Sequence, residues 1–147
     1  MFKSKRIVAL LLMIALVFSA GIIVVQAGNT SDTSFSFGFY TGTNPTADTA
    51  TRNKDDSSGS YMKCNSVNPT TASYTAKVFG VSSSGTKYDC ALASYTFKSG
   101  TIVQSMKNNV RASGYTKACI RAYASFPSGV PGYSASGVWS PDNSTGI

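Results

Sequence analysis

The residue types that carry most enzymatic chemistry are missing from this chain. None of its 147 residues is a histidine, and all six acidic residues are aspartates, at Asp32, Asp48, Asp55, Asp56, Asp89 and Asp142. A Ser-His-Asp triad or a Cys-His pair therefore cannot be assembled. Histidine-ligated zinc is excluded in the same way. The three cysteines, Cys64, Cys90 and Cys119, lie 26 and 29 positions apart and lack the close pairs of a zinc ribbon. Glycoside hydrolysis needs two opposed carboxylates, whereas the adjacent Asp55-Asp56 sits in a polar stretch and reads as a solvated turn. Calcium binding by Asp48, Asp55 and Asp56 is opposed by Arg52 and Lys54 between them. A Ser–Lys dyad has no spacing to point to it, and Gly59, Gly80 and Gly85 are isolated rather than part of a phosphate-cradling loop. The sequence thus predicts no catalytic residues, no metal and no cofactor.

What remains is binding chemistry. Lys117, Arg121 and Tyr123 stand at alternating positions of one segment and share a face if that segment is a strand; Lys77 or Lys63 can join them from a neighbour. Cations interleaved with an aromatic suit an anionic polymer. The competing reading is the solvated outer face of a two-layer protein. The partner expected is cell-wall polymer or a membrane surface, not nucleic acid, because the chain opens like an exported one.

That opening has three parts. Lys3, Lys5 and Arg6 precede an apolar run over residues 7–25, and Val25-Gln26-Ala27 offers a peptidase site. Residues 1–27 are predicted to be a signal peptide cleaved after Ala27, and residues 28–147 an exported domain. The alternative is an uncleaved anchor, since the apolar run is long enough to span a bilayer. Beyond Ala27 the ten basic residues face six aspartates, so the net charge of +7 falls to +4 (10 − 6). A mild positive charge favours anionic partners. In an oxidising exterior one disulfide is expected, with Cys90–Cys119 slightly favoured over the other pairings. The third thiol then stays free or links two chains into a dimer. Alternatively all three cysteines are small buried hydrophobes.

The elements that must position these residues follow a period of two. Phe35, Phe37 and Phe39 alternate with Ser34, Ser36 and Gly38, which predicts a strand with one aromatic face. Residues 41–59 are rich in Thr, Asp, Asn and Ser and predict a long loop. Strands are expected at residues 61–67, 73–81, 87–97, 101–106, 116–126 and 133–139, separated by turns such as Asn68-Pro69 and Ser99-Gly100. Along residues 116–126, Ala118, Ile120, Ala122, Ala124 and Phe126 take one face. Six or seven short strands with this spacing predict an all-β fold, a single antiparallel β-sandwich, with a small barrel as the runner-up.

The two terminal strands also carry a resemblance. Asp32-Thr33-Ser34-Phe35-Ser36-Phe37 and Tyr133-Ser134-Ala135-Ser136-Gly137-Val138-Trp139-Ser140-Pro141-Asp142 are similar to a family of small secreted Gram-positive bacterial proteins of unknown function. Its members open on a Ser/Phe-alternating strand and close on one bearing Gly-x-Trp. In size, charge and terminal aromatic strand the chain resembles, more distantly, small secreted β-sandwich bacteriocins. The resemblance implies no catalytic residues, and the cysteines are not part of either pattern. Trp139 is expected to plug the core. The function expected is a secreted, non-enzymatic interaction protein; the alternatives are a bacteriocin-like antimicrobial and, disfavoured, a small hydrolase.

Overall fold

A computed structural model describes residues 28–143, and the predicted signal peptide with its cleavage site lies outside them. Ten strands follow in order: β1 (Thr33–Tyr40), β2 (Thr46–Asp48), β3 (Arg52–Asn53), β4 (Ser60–Asn68), β5 (Ser73–Val81), β6 (Lys87–Asp89), β7 (Tyr95–Phe97), β8 (Ile102–Met106), β9 (Lys117–Ser125) and β10 (Gly132–Ser140). The first sheet runs β1-β10-β4-β8. The second runs β2-β9-β5-β6, with β3 also on β9 and β7 also on β5. All pairings are antiparallel, and the two sheets form a β-sandwich.

Alternation explains the layers. Phe35, Phe37 and Phe39 of β1 are buried between the sheets while Ser34, Ser36 and Gly38 face out. From the opposite sheet, Ala118, Ile120 and Ala122 of β9 and Tyr74, Ala76 and Val78 of β5 meet them. Tyr74 stacks on Phe97 at 5.3 Å and meets Phe37 edge-on at 5.7 Å. Trp139 is fully buried as expected for a core plug. Each fully buried Phe, Val or Ile side chain here contributes about 1.5–3 kcal/mol by leaving water. Gly137 marks a bulge where the β10–β4 register shifts. A Cβ there would overlap the Lys63 carbonyl and the Phe35 ring, so glycine lets the two strands and that ring close together.

The structure corrects three expectations. Among the described residues the strands number ten rather than six or seven, because several are edge fragments of two or three residues. Residues 41–59 are not one long loop: β2 and β3 line the edge of β9, from Thr46 opposite Tyr123 to Arg52 opposite Ala118. Between them Thr49 bonds Ile120 twice, its N–H donating to the Ile120 carbonyl and its hydroxyl accepting the Ile120 N–H at 2.9 Å. A side-chain oxygen replaces a backbone one, which splits the ladder without orphaning a donor. The strand predicted over residues 87–97 is likewise broken. Asp89 accepts the Ala91 N–H at 3.0 Å, turning the chain after β6 and delivering Cys90 to the core.

Candidate functional site

The predicted basic face exists, but two aspartates neutralise much of it. Lys77, Arg121 and Tyr123 lie on the outer surface of the second sheet, with Lys77 opposite Arg121 and Thr75 opposite Tyr123. Asp48 of β2 faces Arg121 in register and takes its Nε at 2.7 Å and its terminal nitrogen at 2.9 Å. The same carboxylate accepts Lys87 Nζ at 2.7 Å. Burial would raise the Asp48 pKa, but the hydrogen bonds from Arg121 and Lys87 outweigh it and hold the pKa below the usual value. Lys77 pairs with Asp89 at 2.9 Å. Of the four predicted ligand-binding residues, Lys117 alone is both exposed and without an ion pair among the described residues. It lies further along β9, opposite Asn53.

Beneath these charges sits a second, small apolar cluster of Phe79, Val81 and Cys119, with Tyr123 against it. The Arg121 guanidinium covers the Phe79 ring at 4.8 Å. Burial, with the Asp48 charge beside it, pushes the Cys119 thiol up to about 11.

That placement settles the geometry of the cysteines. Cys90 belongs to the core between the sheets, and Cys119 to the outer face of the same sheet. Their thiols lie on opposite sides of the second sheet, so the favoured Cys90–Cys119 pairing is not formed. Cys64 is buried in β4, and all three thiols are free and buried. In the folded chain a covalent dimer would first require one of them to be exposed.

A second charged site, absent from the sequence reading, is more enclosed. Lys54, just beyond β3, and Asp142, just beyond β10, are each fully buried. Lys54 Nζ donates to Asp142 Oδ1 at 2.6 Å, to the Ser58 carbonyl at 2.6 Å and to the Pro141 carbonyl at 2.9 Å. All three ammonium donors are thus used. Asp142 Oδ2 accepts the backbone N–H of Asn29 at 2.6 Å and of Asp55 at 2.9 Å. Burial would raise the Asp142 pKa; the hydrogen bonds from Lys54, Asp55 and Asn29 outweigh it and hold it low. Asp56 Oδ1 stands 3.9 Å from Lys54 Nζ and is itself fixed by the Ser58 N–H at 2.8 Å.

The surroundings lock this junction. Arg52 donates to the Ser31 carbonyl at 2.6 Å and to Asn29 Oδ1 at 2.7 Å, its guanidinium lying 5.8 Å from the Trp139 ring centre. Ser60 Oγ donates to the Pro141 carbonyl at 2.8 Å. Asn143 bonds the Gln104 carbonyl. A polar cleft lined by Thr30, Asp32, Tyr61, Gln104, Ser140 and Asn143 adjoins it. Lys54 and Asp142 are 88 residues apart, and no local pattern couples them. In sequence Lys54 is one more polar residue in a polar stretch.

The third feature is one end of the sandwich. Tyr88 and Tyr115 stack at 5.2 Å, the Leu92 N–H bonds the Lys107 carbonyl at 3.0 Å, and the Asn109 N–H bonds the Cys90 carbonyl at 2.9 Å. These contacts bring residues 88–92 against residues 107–115. Lys107 and Arg111 are exposed on this segment, Lys117 is exposed just beyond it at the start of β9, and none of the three forms an ion pair among the described residues. Tyr88 and Leu92 expose 46% and 64% of their surface, which puts apolar area beside the cations.

Fold and sites define a small antiparallel β-sandwich with a saturated buried ion pair near its two described ends and a basic, partly aromatic rim. A family model described as "Protein of unknown function (DUF2712)" matches residues 23–143, and the chain belongs to that family. No curated protein matches it.

Proposed function

We propose that this protein is a secreted, non-enzymatic interaction domain that binds an anionic polymer of the bacterial cell envelope. The surface responsible is the rim built from residues 88–92 and 107–117. The observation that carries this reading is that Lys107 and Arg111, on the segment packed against residues 88–92, and Lys117, two residues beyond that segment, are all exposed and have no acidic partner among the described residues. Unneutralised charge attracts a polyanion, whereas the Asp48–Arg121–Lys87 cluster has largely spent its own. The exposed Tyr88 ring adds a flat amphipathic surface against which a polymer can lie. Export is supported by the basic-then-apolar opening and the Val25-Gln26-Ala27 site. The Ser/Phe strand and the Gly-x-Trp strand support a Gram-positive origin.

Retention of the purified protein on isolated anionic wall polymer, measured against salt, tests the proposal. Binding should weaken as the Debye length shrinks from about 10 Å at 0.1 M to about 3 Å at 1 M. The triple variant Lys107→Glu, Arg111→Glu, Lys117→Glu should abolish retention, while Lys77→Gln with Arg121→Gln should preserve it. Retention indifferent to salt and to the triple variant would sink the proposal, and turnover of the polymer would overturn its non-enzymatic part. Leu92 beside the cations favours one second reading, an envelope-directed antimicrobial related to the bacteriocin resemblance. Leakage of anionic lipid vesicles in place of polymer retention would select it.

A further inference from the structure

The buried junction is arranged for bond formation as well as ion pairing. We propose that Lys54 and Asp142 condense into an intramolecular amide that covalently closes the sandwich near its two described ends.

The geometry supplies each part of an acyl transfer. Lys54 Nζ lies 2.6 Å from Asp142 Oδ1, both side chains are excluded from water, and each is held by further hydrogen bonds to backbone groups. Holding two reactants in this way replaces the entropy of an encounter. Proton movement along that hydrogen bond converts the ion pair into a neutral amine and a neutral carboxylic acid. A neutral amine has two N–H groups and one lone pair. The Ser58 and Pro141 carbonyls take the two N–H groups, which leaves the lone pair directed at the Asp142 carboxyl. The carboxyl is held in a complementary way. Oδ2, the oxygen that stays, accepts two backbone N–H groups, from Asn29 and Asp55. They polarise the carbonyl and stabilise the oxyanion that develops when nitrogen attacks.

The step balances without any co-reactant. The Nζ lone pair forms a bond to Cγ, and the Cγ=Oδ2 electrons move onto Oδ2. As the carbonyl re-forms, the Cγ–Oδ1 bond breaks and Oδ1 leaves as water. Water takes one proton from the carboxylic acid and one from the amine. Asp56, 3.9 Å from Nζ, relays the second proton. The net change is an ammonium and a carboxylate becoming one amide and one water. Because Asp142 is held below its usual pKa, the reactive neutral pair is the minor form. Closure is therefore slow, happens once per chain and follows folding.

Intact mass of the folded full chain tests this. The wild type should weigh less than its own sequence by one water molecule. Trypsin should then release a branched peptide joining residues 53–63 to residues 122–147, because Lys54 is no longer cleavable. Lys54→Arg should have unmodified mass. Asp142→Asn keeps the shape and the backbone contacts and should lose ammonia instead of water, giving the same branched peptide. Asp56→Asn keeps an acceptor for the Ser58 N–H and should close more slowly. A folded wild type of unmodified mass overturns the proposal, even where the Lys54 variant fails to fold. So does a water loss that maps anywhere other than Lys54 and Asp142, or one that persists in Lys54→Arg.

Discussion

The outer face of the second sheet and the junction at Lys54 use the same chemistry, an aspartate between cations, in opposite surroundings. The side chains of Asp48, Lys87 and Arg121 are 22–30% exposed, whereas those of Lys54 and Asp142 are fully buried. Water competes for the first set and screens it, so each pair contributes up to about 1 kcal/mol. In the second, both charges have lost hydration and every donor and acceptor is satisfied by protein. Removing one partner strands the other. A charged cluster that is visible on a surface can be the less consequential one.

Breaking the buried site should have the largest effect. Lys54→Met keeps the apolar stem of the side chain but leaves the Asp142 charge and the Ser58 and Pro141 carbonyls without their donor. A loss of about 3–5 kcal/mol is expected in urea unfolding. A loss no greater than that of Arg121→Met would erase the contrast between the two regions.

Acid should separate them next. Asp48 and Asp142 are both held below the ordinary aspartate value of 3.8. A carboxyl with a lowered folded pKa adds stability that is complete above the unfolded value and is lost as pH falls through the folded one. Stability should therefore be flat near neutrality and decline in acid, from about the ordinary aspartate range downward. In Asp48→Asn the share of the outer face vanishes. If the amide has formed, Asp142 no longer titrates and Asp48→Asn should remove most of the acid dependence. Denaturation curves at a series of pH values read both outcomes.

The smallest effects belong to the surface. A double-mutant cycle on Asp48→Asn and Arg121→Gln should give a coupling of about 0.2–1 kcal/mol. Lys77→Gln should leave the melting temperature unchanged within error, because its pair with Asp89 is open to solvent.

The parts of this molecule that were legible are those written in local periodicity. The Phe35-Phe37-Phe39 row, the Ala118-Ile120-Ala122 row and the turn at Asn68-Pro69 each follow from neighbours in the chain. So does the sharing of one outer face by Lys77, Arg121 and Tyr123, once both segments are strands. The neutralisation of that face was not legible. Asp48 reaches Arg121 across 73 positions, from a stretch whose composition reads as loop and which pairs only because β9 offers it an open edge. The fragment strands β2 and β3, and the break that divides residues 87–97 into β6 and β7, were hidden for the same reason: segments of two or three residues carry no period of their own.

The sequence by itself determined the class of fold, through alternation, and removed histidine- and glutamate-based chemistry, through composition. Tertiary structure decided which charges are spent and which are free. It also put Cys90 and Cys119 on opposite sides of one sheet, and drew Lys54 to Asp142 across 88 residues. The physical reason is that strand alternation is a short-range property, set by φ and ψ along one segment. Charge pairing depends on which segments the closing of two layers brings within a few ångströms.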